Sequence, residues 1–469
     1  LRLIEPLLPS LKQGELEPEK AWVLGTLATL DPNRIAEFAR LPIFAEAGLG
    51  EYGSYQAAVT LVREDLAEAL ALGEAVGEPH YRGRLFLAAC DSLPDDQRQR
   101  KEELLATALL HARGESDVAQ GVELMGQIAE RWLDLGEVER GTTLLREGEK
   151  LAEQLPAPSE AAERAHENAP HMRAFFAGSL ARIDGPAAIR LSTGFTSNFA
   201  DRYRIVVARG LASHDPAAAE RLLGELNFSA VRYYQGLPVL HVMARVDSQR
   251  AARLARQCDA DNQRGYALGI VAHGLALDDG AQAKAILEEA YTYLERASAA
   301  GEGAADANEH PAVLAAALLP VAERIDPALV ETYYWRAMAL RSPRPARLPT
   351  NRYGAVVTGA MAIFVSRYDR QAARVLAAPL AAQLQTLAAD GDHWITRPTW
   401  GSFGMVDPAW AESLLETLPE PPPLALRAAK NVGRRCLAEA LAPSADSWWH
   451  KLYGQVANVR DPDARDDER

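Results

Sequence analysis

The stretch Val207-Ala208-Arg209-Gly210-Leu211-Ala212-Ser213-His214-Asp215-Pro216-Ala217-Ala218-Ala219-Glu220-Arg221-Leu222-Leu223 decides the fold. Val207, Ala208, Leu211 and Ala212 share one helical face before the aspartate, and Ala219, Leu222 and Leu223 share another after it. Spacings of three, four and seven are the period of a helix, not the alternation of a strand. Between the two faces, Asp215 offers a carboxylate oxygen to the unpaired N–H groups that open a helix. Pro216 fits the first helical position, where an N–H has no partner to lose. The stretch therefore reads as helix, tight turn, helix.

The same frame recurs around Asp31, Asp65, Asp184, Asp247, Asp279, Asp326, Asp369 and Asp407. Around Asp279 its slots hold Val271, Ala272, Leu275 and Ala276, then Ala283, Ile286 and Leu287. From Asp184 to Asp215, Asp247 and Asp279 the intervals are 31, 32 and 32 residues. A fixed period in that range marks a solenoid or array. The expected fold class is all-α, an α-α superhelix of about ten helix-turn-helix repeats, with each aspartate acting as a helix cap. Small residues before and after the turn, such as Ala212 with Ala219, let paired helices approach closely.

The stretch Ala129-Glu130-Arg131-Trp132-Leu133-Asp134-Leu135-Gly136, continuing to Gly141, Leu144 and Leu145, resembles a tetratricopeptide turn. The units from Asp184 to Asp279 resemble HEAT repeats with an Asp-Pro type turn. What the resemblance to this α-helical repeat superfamily implies is protein or peptide binding on a curved surface.

Four sections are expected: N-terminal repeats over 1–153, regular repeats over 171–297, C-terminal repeats with insertions over 312–457, and a charged tail over 460–469. The intervals Asp326 to Asp369 and Asp369 to Asp407 stretch to 43 and 38 residues, which places insertions at 341–353 and 391–404. The chain opens on Leu1 and is read as part of a longer protein.

Those insertions supply the first partner-binding candidates. Arg344, Arg347 and Arg352 concentrate positive charge, and His393, Trp394, Arg397 and Trp400 combine aromatics with polar groups as binding hot spots do. A second set, Arg202, Arg232 and Arg264, sits beside tyrosines at repeat starts. Guanidinium forks aligned along one edge would suit a carboxylate-bearing peptide, and pairing with acids of the adjacent repeat is the structural alternative.

Other chemistry finds little footing. The spacing Gly48-Leu49-Gly50-Glu51-Tyr52-Gly53 matches a dinucleotide loop but follows a helical frame instead of a strand. His166 and His171 flank Pro170, which argues against a continuous helix carrying both as metal ligands. The three cysteines, Cys90, Cys258 and Cys436, are far apart in sequence and suit neither a disulfide framework nor a metal cluster. No cofactor is expected. A formal charge of −14 disfavours a broad nucleic-acid surface, and no apolar run of about 20 residues is present to span a bilayer. The leading expectation is a cytoplasmic scaffold or sensor module that binds a protein or peptide. Two alternatives are a closed α/α-toroid enzyme, with Asp392, His393 and Asp407 as its first residues to test, and a HEAT-like nucleic-acid binder.

Overall fold

The computed structural model describes residues 50–62, 65–74, 76–156, 168–193, 198–225, 236–301 and 310–340, with shorter stretches between 361 and 413. Among the described residues every regular element is helical, as the sequence period predicts. The contacts divide the chain between Arg250 and Ala251 into two compact units.

The first unit contains α1 (Gly50–Leu61), α2 (Leu66–Glu74), α3 (Pro79–Ser92), α4 (Arg98–Gly114), α5 (Val118–Asp134), α6 (Val138–Ala152), α7 (Asn168–Leu180), α8 (Gly185–Ser192), α9 (Asn198–Ala212), α10 (Pro216–Gly224) and α11 (Leu237–Val246). Two layers follow from the packing. The odd helices touch in succession, α1 on α3, α3 on α5, and so on to α9 on α11, while each even helix packs against its odd neighbours. Each pair buries one face, and the stripe Val207, Ala208, Leu211 and Ala212 is wholly inside.

Helix α12 (Ser248–Arg256) runs across the division. The second unit contains α13 (Asp261–Leu275), α14 (Gly280–Ala300), α15 (Pro311–Ala317), α16 (Leu319–Ile325) and α17 (Val330–Ala339). Helix α13 is buried on nearly every side, as a run of Gly, Ala, Leu, Ile and Val without an amphipathic stripe requires. It packs most extensively against α14, and Gly265 makes room for that approach: a β-carbon there would stand 2.8 Å from the carbonyl of Ala290.

The aspartate corners are built as the sequence frame expects. Asp65, Asp184, Asp215, Asp247, Asp279, Asp326, Asp369 and Asp407 each accept a backbone N–H from two or three residues ahead at 2.9–3.0 Å. Asp31 lies outside the described residues. The backbone of the same residue works in both directions. The N–H of Asp215 donates to the carbonyl of Leu211 at 2.7 Å, and its own carbonyl accepts from Ala219 at 3.1 Å. Asp184, Asp279 and Asp369 repeat that arrangement, so the bonding of one helix passes into the next at a single residue. The corner torsions are extended, with φ/ψ of −149/88 at Asp184, −131/73 at Asp215, −144/77 at Asp247, −147/80 at Asp279 and −163/114 at Asp326.

The corner between α5 and α6 uses different chemistry. Gly136 is left-handed at φ 79, the N–H of Glu137 reaches the carbonyl of Trp132, and the N–H of Gly136 reaches that of Leu133. That pairing is a glycine C-cap of the Schellman type.

An Asp279→Ala substitution is expected to lower the unfolding free energy by about 1 kcal/mol, with Asp279→Asn retaining most of the stability because an amide oxygen caps as well. Urea titration of the two variants checks this.

A pH window follows from three histidines. Burial pushes the imidazoles of His80, His111 and His310 below their ordinary value. At His80, Arg84 pushes the same way, while Glu115 and Asp117 oppose. The folded state therefore holds these groups neutral, while the unfolded chain takes up protons as the pH falls through about 6.5. Stability is full above that value and declines as the pH drops from there to the folded pKa of each group, with a slope of at most about 1.4 kcal/mol per pH unit per histidine. Carboxylates held low, such as Asp184 by its bond from the Ala187 N–H and Glu289 by Arg256, lose their contribution only at lower pH. Thermal melts between pH 7.5 and 5 should show the decline, and His80→Phe should flatten it.

Candidate functional site

Most of the arginines described are spent on the fold. Arg131 forks onto Asp91 at 3.1 and 2.8 Å, Arg256 forks onto Glu289 at 2.7 Å through both nitrogens, and Arg182 reaches Asp134 at 2.8 Å. Each pair bridges adjacent helix pairs. Arg336 is held by Glu295 at 2.7 Å and Glu288 at 2.8 Å while lying over the rings of Tyr291 and Tyr333.

Of the sequence-selected binding residues, Arg264 is fully described. It sits in the first turn of α13, where Nη1 meets Asp261 at 2.6 Å and Nε donates to the carbonyl of Cys258 at 2.7 Å. A third bond runs from Nη2 to the carbonyl of Asp259 at 3.1 Å. Arg202 belongs to α9, and the neighbouring tyrosines Tyr203 and Tyr266 are 1% exposed and form part of the core. Burial pushes the Tyr266 phenol well above its ordinary value. Arg232, Arg344, Arg347, Arg352, His393, Trp394, Arg397 and Trp400 lie outside the described residues, as does Asp392.

Three other sequence candidates have structural work. Asp407 caps a helix turn through Trp410 N–H and pairs with Arg374. Gly50 opens α1 and Gly53 is buried within it. Helix α7 begins at Asn168, so Pro170 falls in its first turn, where proline is tolerated. The His171 ring then meets the Tyr203 hydroxyl.

The site with room for a partner is elsewhere. Helices α4 and α6 lie beside each other with a groove of about 870 Å³ between them, lined by Ala106, Leu109, Leu110, Trp132, Thr143 and Leu144 together with charged rims. The groove is tied at both ends. At one end Arg98 pairs with Glu137, and Arg140 with Glu102 at 3.1 Å; at the other Arg113 forks onto Glu147 at 3.0 and 2.6 Å. These contacts fix the electrostatics of the ends. The Arg98 and Arg140 guanidiniums hold the Glu102 carboxyl below its usual range, and the bond to Glu147 raises Arg113.

The floor is aromatic. Trp132 is 5% exposed, and the Arg140 guanidinium lies 4.9 Å from its ring centroid. Leu110 projects to 71% exposure because it falls off the stripe of Lys101, Leu104, Leu105, Ala108 and Ala112 that α4 buries. Leu110, exposed in the same lining between fixed ion pairs, leaves apolar area still to cover.

Sequence reasoning missed this groove because its parts come from three helices. The available signal was Leu110 itself, an apolar residue out of register with its helix face. No described helix is long and apolar enough to cross a membrane. Among the described residues no group of three or more His, Cys, Asp or Glu side chains is placed to hold a metal ion. Comparison with protein-family models, with curated proteins and with solved structures gives no match to this chain.

Proposed function

We propose that this chain is an α-α superhelical scaffold that binds a segment of a protein or peptide partner. The observation that carries the reading is the groove between α4 and α6, with Leu110 exposed in its lining. Rigid paired helices, held by repeated caps and inter-pair ion pairs, present such a surface at little ordering cost on binding. The successive contacts between odd helices of the first unit support the superhelical part of the reading. The shared cap bonding of the aspartate corners supports it as well.

Selection from a displayed peptide library against the full chain tests the function. An enriched family of sequences that competes for one site supports it, whereas no enrichment over a scrambled library overturns it. Solution scattering tests the architecture. A compact body of 469 residues has a radius of gyration of about 23 Å. An open superhelix should exceed this clearly, and a closed toroid should not.

A further inference from the structure

We propose that the α4–α6 groove takes a basic amphipathic helix of a partner protein, about three turns long; this rests on the binding role proposed above. The shape argues for a helix. Both walls are helices whose backbone groups bond internally, so they offer no edge for an extended strand to pair with. A bound helix satisfies its own backbone and presents one apolar face to Leu109 and Leu110. The clear span from Glu102 to Arg113, eleven residues along α4, is about 16 Å, which matches three helical turns.

The charge inventory sets the sign. The lining carries four carboxylates, Glu102, Glu103, Glu139 and Glu147, against two guanidiniums, Arg113 and Arg140. Glu102 and Glu147 are engaged across the groove by Arg140 and Arg113. Among the described residues Glu103 pairs along its own helix, with Arg100 at 2.9 Å and Gln99 at 3.4 Å. Glu139 is exposed and makes no ion pair among the described residues. The carboxylates not bonded across the groove thus stand on both rims, Glu103 on α4 beside its Arg100 partner and Glu139 on α6. A helix with leucines on one face and lysines flanking it answers both the floor and the rims.

The test uses two synthetic fifteen-residue peptides with the same leucine face, one carrying lysine and the other glutamate elsewhere, titrated by fluorescence anisotropy into the full chain. The lysine peptide is expected to bind at least tenfold tighter. Leu110→Asp should weaken the lysine peptide at least tenfold, and Glu103→Lys with Glu139→Lys should reverse the preference. All three positions are exposed, so the variants should fold, and circular dichroism checks that they do. Lysine-peptide binding that survives all of these changes would be diffuse attraction to an acidic surface and overturns the proposal. So would preference for the glutamate peptide. A change in sedimenting mass on Leu110→Asp also overturns it, by assigning the groove to a second copy of the chain. Library-selected peptides whose binding ignores Leu110→Asp would leave the scaffold reading intact while removing this one.

Discussion

Gly210→Val is expected to destabilise the first unit by about 3 kcal/mol, near the upper end of what overpacking costs a well-packed interior. Helices α7 and α9 cross with their backbones in contact at this residue. A β-carbon at Gly210 would stand 2.2 Å from the carbonyl oxygen of Gly178 and 2.8 Å from the β-carbon of Ala181. Neither neighbour can yield, because one is backbone and the other has no rotamer to change. The two helices must separate, and the layer of odd helices separates with them. A contrast within the same protein sharpens the test. Gly114 closes α4 with nothing within 4 Å of its β-position, so Gly114→Ala should stabilise by about 0.4–1 kcal/mol through the unfolded chain. Gly210→Ala should destabilise although it improves helix propensity by about 1 kcal/mol. Urea titrations of the three variants, at unchanged slope, decide the matter. Equal and positive effects of both alanine substitutions would mean that the crossing is looser than described.

Trp132→Ala is the second large effect, expected to cost about 3–5 kcal/mol as an aromatic removed from a packed site. Trp132 has a double role, since one side of the ring is core and the other is the groove floor beneath Arg140. Trp132→Phe should recover most of the stability. Arg140→Ala should cost about 0.5–1 kcal/mol when Trp132 is present and less when it is absent, because the cation has then lost its ring. A double-mutant cycle reads that coupling directly. If the cycle closes to zero, Arg140 is held by Glu102 and Glu137 without help from the ring.

The local half of this structure was legible in the sequence. Eight aspartates of one apolar frame are caps, because a cap needs only its own residue and the next three. The buried stripes were equally readable, since a helix face is set by period alone. Nonlocal pairing was not. Arg113 and Glu147 are 34 residues apart and meet only because α5 holds α4 and α6 at a given distance. Arg264 shows the same limit at short range. Asp261 was visible three residues before it, but the carbonyls of Cys258 and Asp259 turn toward it only once the chain has bent into α13. The insertions chosen from stretched intervals fall at 341–353 and 391–404, outside the described residues. The groove lies between corners of the framed series; the aspartate that caps α5 there, Asp117, stands outside the repeating apolar frame, so the ruler does not register it.

The aspartate corners also bear on how this chain tolerates change in length. Where helical bonding passes through one residue, an inserted residue would break the bond to the carbonyl behind, the bond from the N–H ahead, or both. The links at the other ends of the helix pairs differ in length: α8 to α9 runs from Ser192 to Asn198, α10 to α11 from Gly224 to Leu237, and α14 to α15 from Ala300 to Pro311. As a general rule a loop's closure costs only about 0.6 kcal/mol more for each doubling of its length. Added residues are therefore expected to be tolerated between one helix pair and the next, and not at the aspartate corner inside a pair.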